Sequence, residues 1–102
     1  MYDSLVNWMN VPFQIKPFKG RSGAGTKLFE DSVDALCYPE SDVKLVTDAS
    51  GAEVVSTSQL YVPGDCPIKS TDDVLFENEV RPVKRISAYY RNGVVDIKVV
   101  YI

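Results

Sequence analysis

Apolar residues along this chain recur mainly at every second position. Val11, Phe13 and Ile15 alternate with Pro12, Gln14 and Lys16, and Val95, Ile97, Val99 and Tyr101 alternate around the polar Asp96 and Lys98. A repeat of two puts successive side chains on opposite faces of a pleated strand, so these runs predict half-buried strands. Turn chemistry falls between the runs. Asp48-Ala49-Ser50-Gly51 separates DVKLVT from AEVVSTSQLYV, and Arg91-Asn92-Gly93 separates PVKRISAYY from VVDIKVVYI, each reading as a hairpin. Strands are predicted near 11–18, 31–38, 42–48, 52–62, 73–76, 82–90 and 94–101. One short helix is predicted at 3–9, capped by Asp3 or Ser4 with Leu5 and Trp8 on one face. The expected fold is therefore all-β: a small antiparallel barrel or sandwich of six to seven strands in a single domain over 1–102, with a protruding hairpin and at most that one N-terminal helix.

Composition supports strands: 15 Val, 5 Ile and 4 Thr stand against 5 Ala and 6 Leu. A chain of 102 residues buries roughly two-thirds of its unfolded surface, enough for one core. No run of 18 apolar residues exists, and MYDSLVNWMN has no basic residue ahead of a hydrophobic stretch, so neither a membrane span nor a secretory leader is expected. The apolar end Val99-Val100-Tyr101-Ile102 would promote aggregation if its edge were open, so a neighbouring strand is expected to cover it.

Histidine is absent, which removes the commonest general base and metal ligand. Cys37 and Cys66 lack the close pairing of a structural zinc site and read as two reduced thiols; Cys66 sits in the turn-like Gly64-Asp65-Cys66-Pro67 with no cation placed to activate it. The 14 acids include no calcium loop of the D-x-[DN]-x-[DN]-G form. No enzyme, cofactor or metal is expected.

The net charge of −3 conceals a division along the chain. Residues 1–27 carry four basic groups and one acid, 28–79 two basic and twelve acidic, and 80–102 five basic and one acid. Either the terminal strands lie beside the central ones and these charges pair, or the subunit has one positive and one negative flank. Two such flanks suit head-to-tail contacts between identical copies.

Two basic segments imitate nucleotide and nucleic-acid sites. Gly20-Arg21-Ser22-Gly23-Ala24-Gly25-Thr26-Lys27 approaches a phosphate loop, but Thr26 occupies the place of the lysine and no helical pattern follows. It reads better as a mobile cationic loop between strands that meets a partner. In RPVKR at 81–85, Lys84 and Arg85 should point to opposite faces of a strand and so make no single patch.

The run VDALCYPES, the hairpin DVKLVTDASGAEVVSTSQLYV and the terminal STDDVLFENEVRPVKRISAYYRNGVVDIKVVYI resemble the small head-closure proteins of tailed bacteriophages and prophages, also called minor capsid, head-tail connector or stopper proteins. The resemblance covers about residues 10–102 and lies in strand order, size and texture. It implies a β-barrel subunit, monomeric when isolated, that joins a homo-oligomeric ring beneath the portal and adaptor proteins, next to tail proteins. Such a subunit belongs to the virion neck and is made in the bacterial cytoplasm. A loop between two barrel strands then retains packaged double-stranded DNA by steric contact.

Carried over by position, the channel loop is Asp42 through Val55, with Asp42, Lys44, Asp48, Ala49, Ser50, Gly51 and Glu53 as its candidate residues. Gly20 through Lys27 is the candidate contact with the adaptor ring or tail. The acids outnumber Lys44, so the hairpin would obstruct DNA without gripping it. The alternative is another small β-barrel interaction module, such as a tail-completion protein or an adaptor that binds a peptide at a groove or sheet edge.

Overall fold

The structure, a computed structural model, describes residues 8–48 and 50–102. It is all-β. The strands are β1 (Val11–Lys16), β2 (Phe18–Arg21), β3 (Lys27–Phe29), β4 (Val33–Glu40), β5 (Lys44–Thr47), β6 (Glu53–Ser56), β7 (Gln59–Pro63), β8 (Asp73–Phe76), β9 (Glu79–Pro82), β10 (Arg85–Arg91) and β11 (Val94–Tyr101). Seven of them form one sheet in the order β10-β11-β7-β4-β1-β8-β9, every described pairing antiparallel. The other four make two separate ribbons, β2-β3 and β5-β6. Among the described residues no helix is long and apolar enough to cross a membrane. The helix expected at 3–9 lies outside the described residues except for Trp8 and Met9, which are not helical.

The sheet curls because β4 serves two partners. Its first half, Val33 to Cys37, pairs with β1, and Tyr38 to Glu40 pairs with β7. The two edge strands, β9 and β10, are consecutive in sequence, joined by Val83 and Lys84 alone. There the Val83 amide bonds to the Asp72 carbonyl and the Lys84 amide to the Tyr101 carbonyl. The chain thus stitches the two ends of the curled sheet at one rim, giving an incompletely closed barrel.

Period-two alternation fills the interior. Phe13 and Ile15 of β1, Leu60 and Val62 of β7, Val74 and Phe76 of β8, and Val100 with Ile102 form the core, joined by Cys37, Cys66, Ile68 and Val83. Full burial of an aliphatic side chain of this kind contributes about 1.5–3 kcal/mol. The expected cover for the apolar end is present: β11 lies between β10 and β7, and Val99, Val100 and Ile102 are buried. Gly64 crosses β11 so closely that a Cβ would stand 2.0 Å from the Val95 carbonyl oxygen, so only glycine fits this turn.

Several strand boundaries differ from the sequence expectation, among them the unpredicted β3 and the strand predicted at 31–38, which runs over Val33–Glu40. The predicted strand 11–18 breaks at Pro17, whose ring supplies no N–H to a ladder, and the chain resumes as β2 in a different ribbon. The predicted strand 52–62 divides at Thr57 and Ser58, whose amides turn to the Ile102 carbonyl. β9 was not anticipated, because its turn from β8 is Glu77-Asn78, both in the left-handed region at φ 52° and 61°, without the glycine that marks such turns. As a consequence the last basic strand begins at Arg85 and not at residue 82.

Candidate functional site

The two ribbons outside the main sheet contain the residues singled out in the sequence. In β5-β6, Lys44 pairs with Ser56, Leu45 with Val55, Val46 with Val54 and Thr47 with Glu53. Alternation gives the ribbon two unlike faces. Val46, Val54 and Ser56 turn towards the body, while Leu45 and Val55 turn outward, together with Val43.

Its tip is closed by Asp48. The Asp48 amide donates to the Ala52 carbonyl at 2.9 Å and the Gly51 amide to the Asp48 carbonyl at 3.1 Å. The Asp48 Oδ1 accepts the amides of Ser50 (2.9 Å) and Ala52 (3.0 Å) and the Ser50 hydroxyl (2.6 Å). Gly51 takes the left-handed φ of 87° that the turn requires. The Ser50 hydroxyl, with the backbone amides of Ala52, Ser50 and Gly51, holds the Asp48 carboxyl below its ordinary value. The tip therefore keeps its negative charge at neutral pH. Ala49 lies outside the described residues.

Attachment to the body comes from side chains that the sequence reading did not connect with this hairpin. Lys84 Nζ donates to the Val55 carbonyl and Arg85 Nη1 to the Thr47 carbonyl at 3.1 Å. The buried Gln59 donates through Nε2 to the Asp42 carbonyl (2.9 Å) and to Ser56 Oγ (3.2 Å). Lys84 and Arg85 were expected on opposite faces; because β10 begins only at Arg85, both reach the same ribbon. A sequence signal existed for Gln59, the one amide in the apolar run QLYV. Of the remaining candidates, Lys44 lies 4.0 Å from Glu40, and Glu53 is exposed opposite Thr47.

Gly20–Lys27 is a tight hairpin and not an open loop. Gly20 and Arg21 end β2, Lys27 begins β3, and Arg21 pairs with Lys27. Between them the Ser22 amide donates to the Thr26 carbonyl (2.8 Å) and the Gly25 amide to the Ser22 carbonyl (2.9 Å). Ser22 Oγ accepts the amides of Ala24 (3.3 Å) and Thr26 (3.2 Å), Arg21 donates to the Gly25 carbonyl (3.1 Å), and Gly25 has φ 84°. Amides that a phosphate loop would offer to a ligand are engaged within the turn. Gly23 is exposed at the tip.

At the base of this ribbon, Lys27 sits 5.4 and 5.3 Å from the ring centres of Phe18 and Phe29 and bonds to Asp73 at 2.9 Å. Asp72, 3% exposed, accepts the Phe18 amide at 2.8 Å and the Lys69 amide at 2.9 Å. Asp72, just before β8, and Asp73, its first residue, thus tie β2-β3 to the main sheet.

No family model and no curated protein matches this chain.

The divided charge resolves partly into pairs. Lys27 meets Asp73 across segments, and Arg81 meets Glu79 at 3.2 Å within β9. What is left is local. Lys16, Lys19 and Arg21 make no ion pair among the described residues, and neither do Asp42, Asp48 and Glu53. Both thiols are free and buried, and burial with the nearby Cys66 pushes the Cys37 thiol up to about 12. Among the described residues no three Cys, Asp or Glu side chains gather as a metal-binding group.

Proposed function

We propose that this chain is a structural subunit of the neck of a tailed bacteriophage or prophage, joining a homo-oligomeric ring next to portal, adaptor and tail proteins and helping to retain packaged DNA. The observation that carries the reading is the β5-β6 ribbon. It stands outside the barrel, ends in a tip whose charge is fixed by its own hydrogen bonds, and is fastened to the body by Lys84 and Arg85.

A negative, self-closed tip repels the phosphate backbone at short range, so it obstructs DNA and does not bind it. Retention of this kind needs no reactive group. It needs a rigid element in the path and a hinge or anchor that a neighbour can shift, and the surface bonds of Lys84 and Arg85 to backbone carbonyls make an anchor of modest strength for the outer half of the ribbon.

Deleting 48–51 in the phage or prophage that encodes the chain tests the reading. The subunit is expected to fold and to enter particles, while DNA escapes from heads that lack tails. Tailless heads that stay full would refute the gating role, and purified portal-adaptor complexes that gain no ring when mixed with the chain would refute ring membership.

A further inference from the structure

The two ribbons are built alike and charged oppositely. At each tip the first residue donates its amide to the carbonyl four positions on, and the residue three positions on is a glycine at φ 84° or 87°. In each, a side-chain oxygen of the first residue accepts the amides two and four positions on, from Ser22 in one and Asp48 in the other.

Segment 16–27, covering β2 and the start of β3, has four cations and no acid; segment 40–55, around β5-β6, has four acids and Lys44 alone. Lys27 is engaged with Asp73, leaving Lys16, Lys19 and Arg21. Glu30 and Asp31 border Lys19 only at the base of the basic ribbon, away from its tip.

Each ribbon also presents aliphatic side chains to solvent. Val43, Leu45 and Val55 are 72, 64 and 49% exposed on the acidic ribbon, and Leu28 is 42% exposed on the basic one. An apolar centre with a charged border is the composition of a protein contact surface. Because the inner face of each ribbon is half-buried and hydrogen-bonded to its own barrel, the outer face can meet a partner without rearrangement.

We infer that these two surfaces bind each other between copies: the outer face of β5-β6, at Val43, Leu45 and Val55 with Asp42 and Glu53, docks on the Leu28 face of β2-β3 in the next subunit, beside the exposed Lys19 and with Arg21 at the tip end of that ribbon. The inference rests on the proposed ring and names its joint. Two different patches meet, so the contact is heterologous and propagates around a ring. It uses the side of the acidic ribbon and leaves the tip at 48–51 free to project.

The test uses two full-length variants, Leu45→Cys and Leu28→Cys, mixed at high concentration with a short bis-maleimide. The native thiols, 0 and 8% exposed, stay silent. A cross-linked dimer is expected in the mixture and in neither variant alone. Introducing Lys19→Glu with Arg21→Glu into the Leu28→Cys partner should lower the yield about tenfold, and adding Asp42→Lys with Glu53→Lys to the other partner should restore it. Circular dichroism checks that each variant is folded. Equal cross-linking of either variant with itself, or no dimer in any mixture, overturns the inference. If a ring forms on portal-adaptor complexes and these cysteines still fail to join, the joint is wrong and the ring stands. If no ring forms, the functional reading itself falls.

Discussion

The two ribbons share one turn design, yet they are held to the barrel by different means. β2-β3 is tied by carboxylates of the body: the buried Asp72 accepts the Phe18 amide, and Asp73 pairs with Lys27 between two aromatic rings. β5-β6 is tied at its base by the buried Gln59 and Ser56, and along its outer half only by cations of the body: Lys84 and Arg85 reach the carbonyls of Val55 and Thr47 from an exposed rim. A two-stranded ribbon is marginal alone in water, so each depends on its anchor. The basic ribbon is thus continuous with the core, whereas the outer half of the acidic one, beyond the buried Ser56 and Gln59, can be loosened while the barrel stays intact.

The largest effect should come from breaking the buried anchor. Asp72→Ala leaves the Phe18 and Lys69 amides unpaired and is expected to destabilise the whole domain by about 3 kcal/mol, seen as a lower urea midpoint. Asp72→Asn, which keeps one acceptor oxygen, should recover part of the loss. If Asp72→Ala unfolds at the wild-type midpoint, the basic ribbon is not part of the cooperative unit and the contrast fails.

Lys84→Met should act differently. Its hydrogen bond lies at the surface, so the global cost is expected to be about 1 kcal/mol or less. The informative reading is local. Amide exchange within Val46 and Val54 should quicken about fivefold or more, while Leu60, Val62 and Val74 keep their protection, as for a sub-global opening. Uniform acceleration throughout the barrel would show that both ribbons unfold with the core.

The barrel was legible because its strands obey one rule, alternation, and because Asn92-Gly93 announces the β10-β11 hairpin, as Ser50-Gly51 does that of the β5-β6 ribbon. The division of 52–62 was not, since a run of valines and serines alternates as well through the break as within a strand; only the Ile102 carbonyl, brought near by the fold, draws the Thr57 and Ser58 amides away. The same limit applies to the anchors. Lys84, Arg85, Asp72 and Gln59 act across 17 to 54 positions, and no local pattern marks the partner of a side chain that bonds to a distant backbone amide or carbonyl. Local chemistry did mark the acidic tip. It missed the matching basic one, because Ser-Gly-Ala-Gly-Thr reads as flexible until Ser22 Oγ is seen gathering two amides.

That match offers the smallest and sharpest prediction, since one tip is closed by a group that titrates and the other by a hydroxyl. The Asp48 carboxyl is held below its ordinary 3.8, first by the Ser50 hydroxyl, so the folded tip favours the charged form. A depressed value in the folded state means that the contribution of this group is present above pH 3.8 and is lost as pH falls through the folded-state value. Nuclear magnetic resonance should place the Asp48 titration below 3.8. The Ser50 and Ala52 amide signals should hold steady from neutral pH to about 5 and shift only in the acid limb. The Ala24 and Thr26 amides, bonded to Ser22 Oγ, should show no such transition, and the urea midpoint should barely respond because the Asp48 carboxyl bonds only within its own surface turn. Asp48→Ala should abolish the acid transition at the first tip without touching the second. An Asp48 titration at or above 3.8 would mean that the tip is not closed by this carboxylate, and the parallel between the two turns would be one of backbone shape alone.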